Sequence, residues 1–383
     1  MTYKAQPVLQ TDRETDRETD RQSNIELLRI VVMAMIVGCH FATHGGFHYD
    51  SHTITIPRLW WNFIEMGGNF GSDVFIIISA YFLINNRNLE NSPKKIVKLW
   101  GQIFFYSVFS FFVAFLLGKG DTSLKNIIKT LFPITFDNWW FASTYFVMYL
   151  IHPYLNRLLQ SLSKEVYQKL ILFAFFIWSI IPTFTTSSFQ SNKLIEFTLL
   201  YAIAGYIKIY GFQSNIASKS WFKLWLFSSA LTYLSCVIFL FLGTKFEFFS
   251  SHSLYFYRRN SVLTIFRAVT FFMMFLTMDL GVNHLINKVA SATFGVYLLH
   301  ESNLLRLFLW KNVFHNADFQ NSVLIIPYSL TVVLIVYIVC TLIELCRIRF
   351  VEKPILKVVY EFMDRYLPFA KKYINRVQNA VFR

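Results

Sequence analysis

The first apolar stretch of the chain, NIELLRIVVMAMIVGCHFATHGG from Asn24, holds Glu26, Arg29 and His40. An ionisable group is costly in so apolar a setting and marks a functional position. Arg29 and His40 are eleven residues apart. On an α-helix that is about 1100° of rotation, which leaves the two side chains roughly 20° apart on one face and about 16 Å apart along the axis. A cation and an imidazole so placed address the two ends of one long ligand. An extended pantetheine arm has this reach, with Arg29 on a coenzyme A phosphate and His40 at the thioester. Desolvation favours the neutral imidazole, which can take a proton from a hydroxyl nucleophile. Its second ring nitrogen needs an orienting partner, and Asp73 and Glu26 are the candidates. An oxyanion donor is also required. Ser79, Asn69 and Tyr145 are all eligible, and nothing in the sequence separates them.

His40, His44, His48 and His52 recur at four-residue intervals, a spacing that suits metal on one helix face. Gly45-Gly46 is expected to end the helix after His44, so no metal site is predicted. His44 or His48 is read instead as lining the entrance for an acceptor. The four cysteines (Cys39, Cys236, Cys340, Cys346) form no CxxC pair, which indicates neither a disulfide framework nor a thiolate zinc site. Arg267 is a cation inside another apolar segment, either paired with a carboxylate or touching an anionic acceptor. His300-Glu301, near the outer end of a further segment, is a candidate substrate-binding pair.

The elements that must position these residues follow from composition. Of 383 residues, 55% are apolar and 15% charged, against about 25% charged in a soluble domain. Apolar runs of near-spanning length, roughly 20 residues, recur throughout. Lipid-exposed backbone must be satisfied internally, and the alternation of a β-barrel is missing from stretches such as Ile103–Leu117, so an all-α polytopic membrane protein is predicted. Ten spans are expected, near Ile25–Phe41, Phe63–Ile84, Leu99–Leu117, Trp140–Leu158, Leu170–Pro182, Leu194–Tyr210, Trp221–Leu242, Val262–Leu280, Val289–Leu309 and Val323–Cys346. With the N-terminus cytoplasmic, the inside segments carry 24 Lys and Arg and the outside segments ten, which predicts both termini in the cytoplasm. The net charge of +14 fits basic residues facing anionic headgroups, and no nucleic-acid motif accompanies it. Residues 1–24, with the repeat TDRETDRETDR, read as a disordered polar arm without a cleavable signal peptide. Residues 25–350 form the membrane domain. In 351–383, Ile355, Val358, Val359, Phe362 and Tyr366 recur at helical spacing among basic residues, predicting a helix on the cytoplasmic membrane surface.

Six segments in order carry a family resemblance. Arg29-x10-His40 matches the Arg/Lys-x10-His of the first helix in acyltransferase family 3. GSDVFIIISAYFL (Gly71–Leu83) resembles that family's G-x-D-x-F-F-x-x-S-G-F-L segment, with Asp73 and Ser79 in register and Ala80 in place of the usual Gly. Lys95-Ile-Val-Lys98 stands where Arg-x-x-Arg is usual, keeping the charge without the bidentate fork. Trp140-Phe141, FGVYLLH (Phe294–His300) and RFVEKPI (Arg349–Ile355) resemble the remaining segments. The resemblance implies a multi-pass enzyme of a bacterial plasma membrane. Such enzymes move an acyl group, usually acetyl, from cytoplasmic acyl-CoA to a hydroxyl of a surface or lipid-linked glycan, with no permanently bound cofactor. It implies His40 as the base with Asp73 as its partner, and Arg29, Lys95 and Lys98 on the donor. Glu26, His44, Ser79, Tyr145, Arg267, His300 and Glu301 remain as acceptor-side candidates. A succinyl donor is an alternative of the same fold. A glycan or lipid transporter without chemistry is another, which paired inverted repeats would signal; none is visible.

Overall fold

The computed structural model describes residues 22–50, 53–86, 93–118, 122–185, 187–211 and 216–381, with side chains to Phe369. The arm with its TDR repeat and His52 lie outside these residues. Among the described residues the regular structure is helical, with no strand. The main helices are α1 (Ser23–His44), α2 (Ile56–Glu65), α3 (Gly67–Leu83), α4 (Pro93–Leu116), α5 (Leu124–Leu131), α6 (Trp140–Gln160) and α7 (Lys164–Phe175), which a π-turn prolongs to Phe184. They continue with α8 (Lys193–Tyr210), α9 (Ser218–Gly243), α10 (Val262–Leu276), α11 (His284–Ala290), α12 (Thr293–His300), α13 (Ile325–Arg347) and α14 (Lys353–Val381).

Seven helical stretches are long and apolar enough to cross a membrane. Helices α6 and α8 run 21 and 18 residues but are not among those seven, because polar side chains such as Asn156 and Glu196 interrupt them. The ninth predicted span is not continuous. It is broken at Ser291-Ala292 into α11 and α12, of 7 and 8 residues, then leaves the helix at Glu301 and resumes as a π-turn at Phe308–Val313. Interrupted backbone at membrane depth is tolerated where it lines a cavity or is buried in protein, and both conditions hold here.

Helix α1 runs through the middle of the bundle, with Leu28, Val32, Val37 and Phe41 fully buried. Helix α3 lies against it through glycines. A Cβ on Gly71 would sit 2.6 Å from Ile36 Cγ1, and one on Gly68 would strike Cys39 Sγ. Small residues let membrane helices approach closely enough to gain from dispersion. The contact order, Gly68 on Cys39 and Gly71 on Ile36 and Val32, makes α3 antiparallel to α1. Phe112, Phe173, Phe227, Phe241 and Leu334 on α4, α7, α9 and α13 are exposed, forming an apolar outer belt.

Helix α14 follows α13 through a π-turn at Ile348–Glu352. The join is held by a buried ion cluster. Glu344 takes hydrogen bonds from Arg347 at 2.7 and 2.8 Å, from Gln102 at 2.8 Å and from Tyr106, while Glu352 takes one from Arg347 at 2.5 Å and pairs with Lys98 at 3.0 Å. Tail residues tie to α4 through Lys94–Asp364 at 2.7 Å and the Tyr360 hydroxyl donating to the Lys94 carbonyl at 3.2 Å. Its apolar residues Ile355, Val358, Phe362 and Tyr366 are exposed, as the helical spacing predicts.

Candidate active site

One face of α1 forms the wall of a cavity of about 670 Å³, from Arg29 through Ile36 and Cys39 to His40, Thr43 and His44. These positions recur at helical spacing, so a single straight helix brings the cation and the imidazole to one space, as their eleven-residue separation requires. The facing wall comes from α3, α6 and α12, including Ser72, Phe75, Trp140, Phe141, Tyr145 and Tyr297.

His40 is fixed from behind by α12 and the turn that follows. Its Nδ1 lies 2.8 Å from His300 Nε2, and His300 Nδ1 lies 2.6 Å from the Val296 carbonyl. A carbonyl only accepts, so His300 Nδ1 carries a hydrogen. In the neutral ring its Nε2 is then an acceptor, and the hydrogen shared with His40 belongs to His40 Nδ1. His40 Nε2 is left as a lone pair on the cavity side. Glu301 Oε2 stands 3.3 Å from His40 Nδ1 and 3.1 Å from His44 Nε2, while Oε1 takes a 2.7 Å hydrogen bond from Arg306. Helix α1 ends directly after His44: Gly46 adopts φ +78°, a left-handed conformation that glycine accepts without a Cβ penalty.

The structure brings Arg29, His40, His44, His300 and Glu301 together and separates other candidates from them. Asp73 is not the partner of His40. It projects from α3 into the core on the side of α10, is fully buried, and neither of its carboxylate oxygens has a hydrogen-bond partner. A helix offers each residue one direction, and the face of α3 that carries Gly68 and Gly71 is the one on α1. Arg267, also fully buried, donates to Ser229 Oγ at 3.1 Å and stacks over Phe70 at 4.6 Å. It does not line the cavity. Glu26 sits 4.0 Å from Arg29, at the far end of α1 from His40. Lys98 is committed to Glu352, and neither it nor Lys95 lines the cavity, although the next residue, Leu99, does.

Ser79 and Tyr145 line the cavity, as does Asn69, but at different levels. Because α3 runs antiparallel to α1, Ser79, eight residues or about 12 Å beyond Gly71, is level with the Arg29 end. The Asn69 amide donates one of its two hydrogens to the Tyr257 carbonyl at 3.1 Å. His48 is exposed and outside the cavity. Among the lining residues that the sequence does not single out are Glu65 and Arg306. Glu65, at the end of α2, has a carboxylate oxygen that is buried without a partner, and Arg306 supports Glu301. Only their charge within mixed segments marked them, and neither has a helical period to place it.

One ligand atom each from His40, His44 and Glu301 lie within 4.8 Å of one another, close enough for a divalent ion. The helix break after His44, which argued against metal, leaves these two histidines together. An ion on His40 Nδ1 would displace the hydrogen that bonds His300.

The site is thus a cavity within a bundle of membrane-length helices, running from Arg29 past the His40 imidazole to His44. A family model described as an acyltransferase domain matches residues 22–344, and the chain belongs to that family, acyltransferase family 3. No curated protein and no solved structure matches it.

Proposed function

We propose that the protein is an O-acyltransferase that moves an acyl group, acetyl in the first instance, from cytoplasmic acyl-CoA to a hydroxyl of an envelope or exported polysaccharide in a bacterial plasma membrane. The observation that supports this reading is His40, held through Nδ1 by His300, on the wall of a cavity that Arg29 also lines. The donor enters at the Arg29 end, with its phosphates near Arg29 and its thioester toward His40. The acceptor approaches from the His44 end. His40 Nε2 takes the hydroxyl proton as the oxygen attacks the thioester carbonyl. The tetrahedral intermediate then expels the coenzyme A thiolate, which recovers the proton from His40. Glu301, seated against His40 Nδ1 and His44, stabilises the transient imidazolium, the part expected of Asp73 from the sequence. The chain crosses the membrane ten times, with the α2–α3 and α11–α12 pairs counted as one crossing each and both termini cytoplasmic. No cofactor is held between turnovers.

The test is acyl transfer by purified protein in vesicles, given radiolabelled acetyl-CoA or succinyl-CoA and glycan from envelopes of a strain lacking the gene. His40→Ala should lower transfer by about 10²–10⁴-fold, the usual worth of a positioned base, and should remove O-acetyl signals from the glycan NMR spectrum in cells. Unchanged acylation by a well-expressed His40→Ala protein would sink the base assignment. A wild-type protein that moves glycan across vesicles without consuming a thioester would be a transporter.

A further inference from the structure

Tyr297, on α12 one turn before Glu301, lines the same cavity. Its residue is 5% exposed, and its hydroxyl is buried without a hydrogen-bond partner. A buried donor left unmade costs about 1–3 kcal/mol, so such a group points to a ligand that satisfies it. The phenol has little freedom to look elsewhere. Its ring is walled by Phe141 at 5.7 Å and Phe294 at 6.3 Å, and packs edge-on to His300 at 6.4 Å. Phe141, in the first turn of α6, packs against this ring, and a free backbone N–H of that turn could only donate to the phenol oxygen. The O–H hydrogen therefore stays available, and the N-terminus of α6 adds positive potential at the same place.

Tyr297 and His40 both line the cavity, and the His300 ring touches both, 6.4 Å from that of Tyr297 and 5.0 Å from that of His40. A base and an unspent donor thus flank one compartment, both positioned by α12. Acyl transfer needs such a pair, since charge leaves the hydroxyl at the base and develops on the carbonyl oxygen. The other eligible donors are worse placed: Ser79 is at the Arg29 level, the Asn69 amide is held by the Tyr257 carbonyl, and Tyr145 lies a full turn further along α6 than Phe141, the residue against Tyr297.

We propose that Tyr297 is a catalytic residue whose hydroxyl donates a hydrogen bond to the thioester carbonyl oxygen and holds the negative charge of the tetrahedral intermediate. This rests on reading the cavity as an acyl-transfer site. The proton stays on Tyr297 throughout, and the bond made and the bond broken are the acceptor O–acyl and the coenzyme A S–acyl bonds.

The test uses full-length protein in vesicles with radiolabelled acetyl-CoA and the glycan described above, comparing Tyr297→Phe, a 3-fluorotyrosine replacement at Tyr297, and Tyr337→Phe. The Tyr337 hydroxyl is likewise buried and unpartnered but faces away from the cavity. Tyr297→Phe should lower kcat by about 10²–10³-fold, the worth of one oxyanion donor, with the KM for acetyl-CoA and the melting temperature unchanged. The fluorotyrosine protein should retain turnover, and Tyr337→Phe should match wild type. A Tyr297→Phe kcat within threefold of wild type, in a preparation where His40→Ala is inactive, overturns the proposal and leaves the acyl-transfer reading standing. A fluorotyrosine protein as inactive as Tyr297→Phe also overturns it, since the position would then serve packing alone. Wild-type protein that consumes no thioester overturns both.

Discussion

At the scale of single residues, the arrangement behind His40 makes the tautomer a controlled quantity. The Val296 carbonyl sets His300, and His300 sets His40. His300→Ala removes the acceptor for the His40 Nδ1 hydrogen and lets the ring turn or exchange tautomers. A fall in kcat of about tenfold or more is expected, with little change in the KM for acyl-CoA, because the proposed donor site is at Arg29 and His300 does not line the cavity. Steady-state kinetics over a range of acetyl-CoA concentrations separates the two parameters, and a rise in KM alone would contradict the assignment. The Arg29–His40 pair was legible in the sequence because both residues ride one helix, where spacing is geometry. The partner of His40 was not. Glu301 is 261 residues away in the chain, and no periodicity reports a contact between distant segments. Asp73 was the natural substitute, an acid within a recognised motif, but motif membership says nothing about the direction of a side chain from its helix.

At the scale of elements, the close seating of α3 on α1 determines the width of the cavity. Gly68→Val would drive a branched side chain into Cys39 Sγ. Overpacking of this kind costs about 1–3 kcal/mol, so a lower unfolding midpoint in detergent is expected, partly restored by Cys39→Ala. An unchanged midpoint in the single variant would show that α3 has slack. Segment positions were largely legible, since apolar runs of spanning length are a compositional signal. The break in the ninth segment was not, because hydropathy sums side chains and is blind to backbone. Residues 289–299 are apolar apart from the Ser291, Thr293 and Tyr297 hydroxyls. Only their placement shows two short helices, with Thr293 Oγ1 donating to the Ala290 carbonyl at 2.9 Å across the interruption.

At the scale of the whole molecule, charge gives the orientation. The nine Lys and Arg after Cys346 concentrate positive charge at the α14 end, the end that the positive-inside rule assigns to the cytoplasm. A reporter fused after Arg383 should be active only in its cytoplasmic form. Activity of an export-dependent reporter at that point would reverse the topology and exchange the donor and acceptor ends of the cavity. Composition made the membrane class legible from the first, whereas the path of the cavity depends on how α1, α3, α6 and α12 meet and appears only in three dimensions.

The ion cluster beneath α12 has a mechanical meaning. Gly295 presses on the Glu344 carboxylate with no room for even a methyl group between them, two residues before Tyr297 and five before His300. Glu344 is braced by Arg347, Arg347 by Glu352, and Glu352 by Lys98. The helix that carries the site therefore rests on a rigid strut whose far end is the root of the tail. A force on that root is transmitted to the histidine pair as displacement, because the seating of Gly295 on Glu344 leaves no gap to take it up.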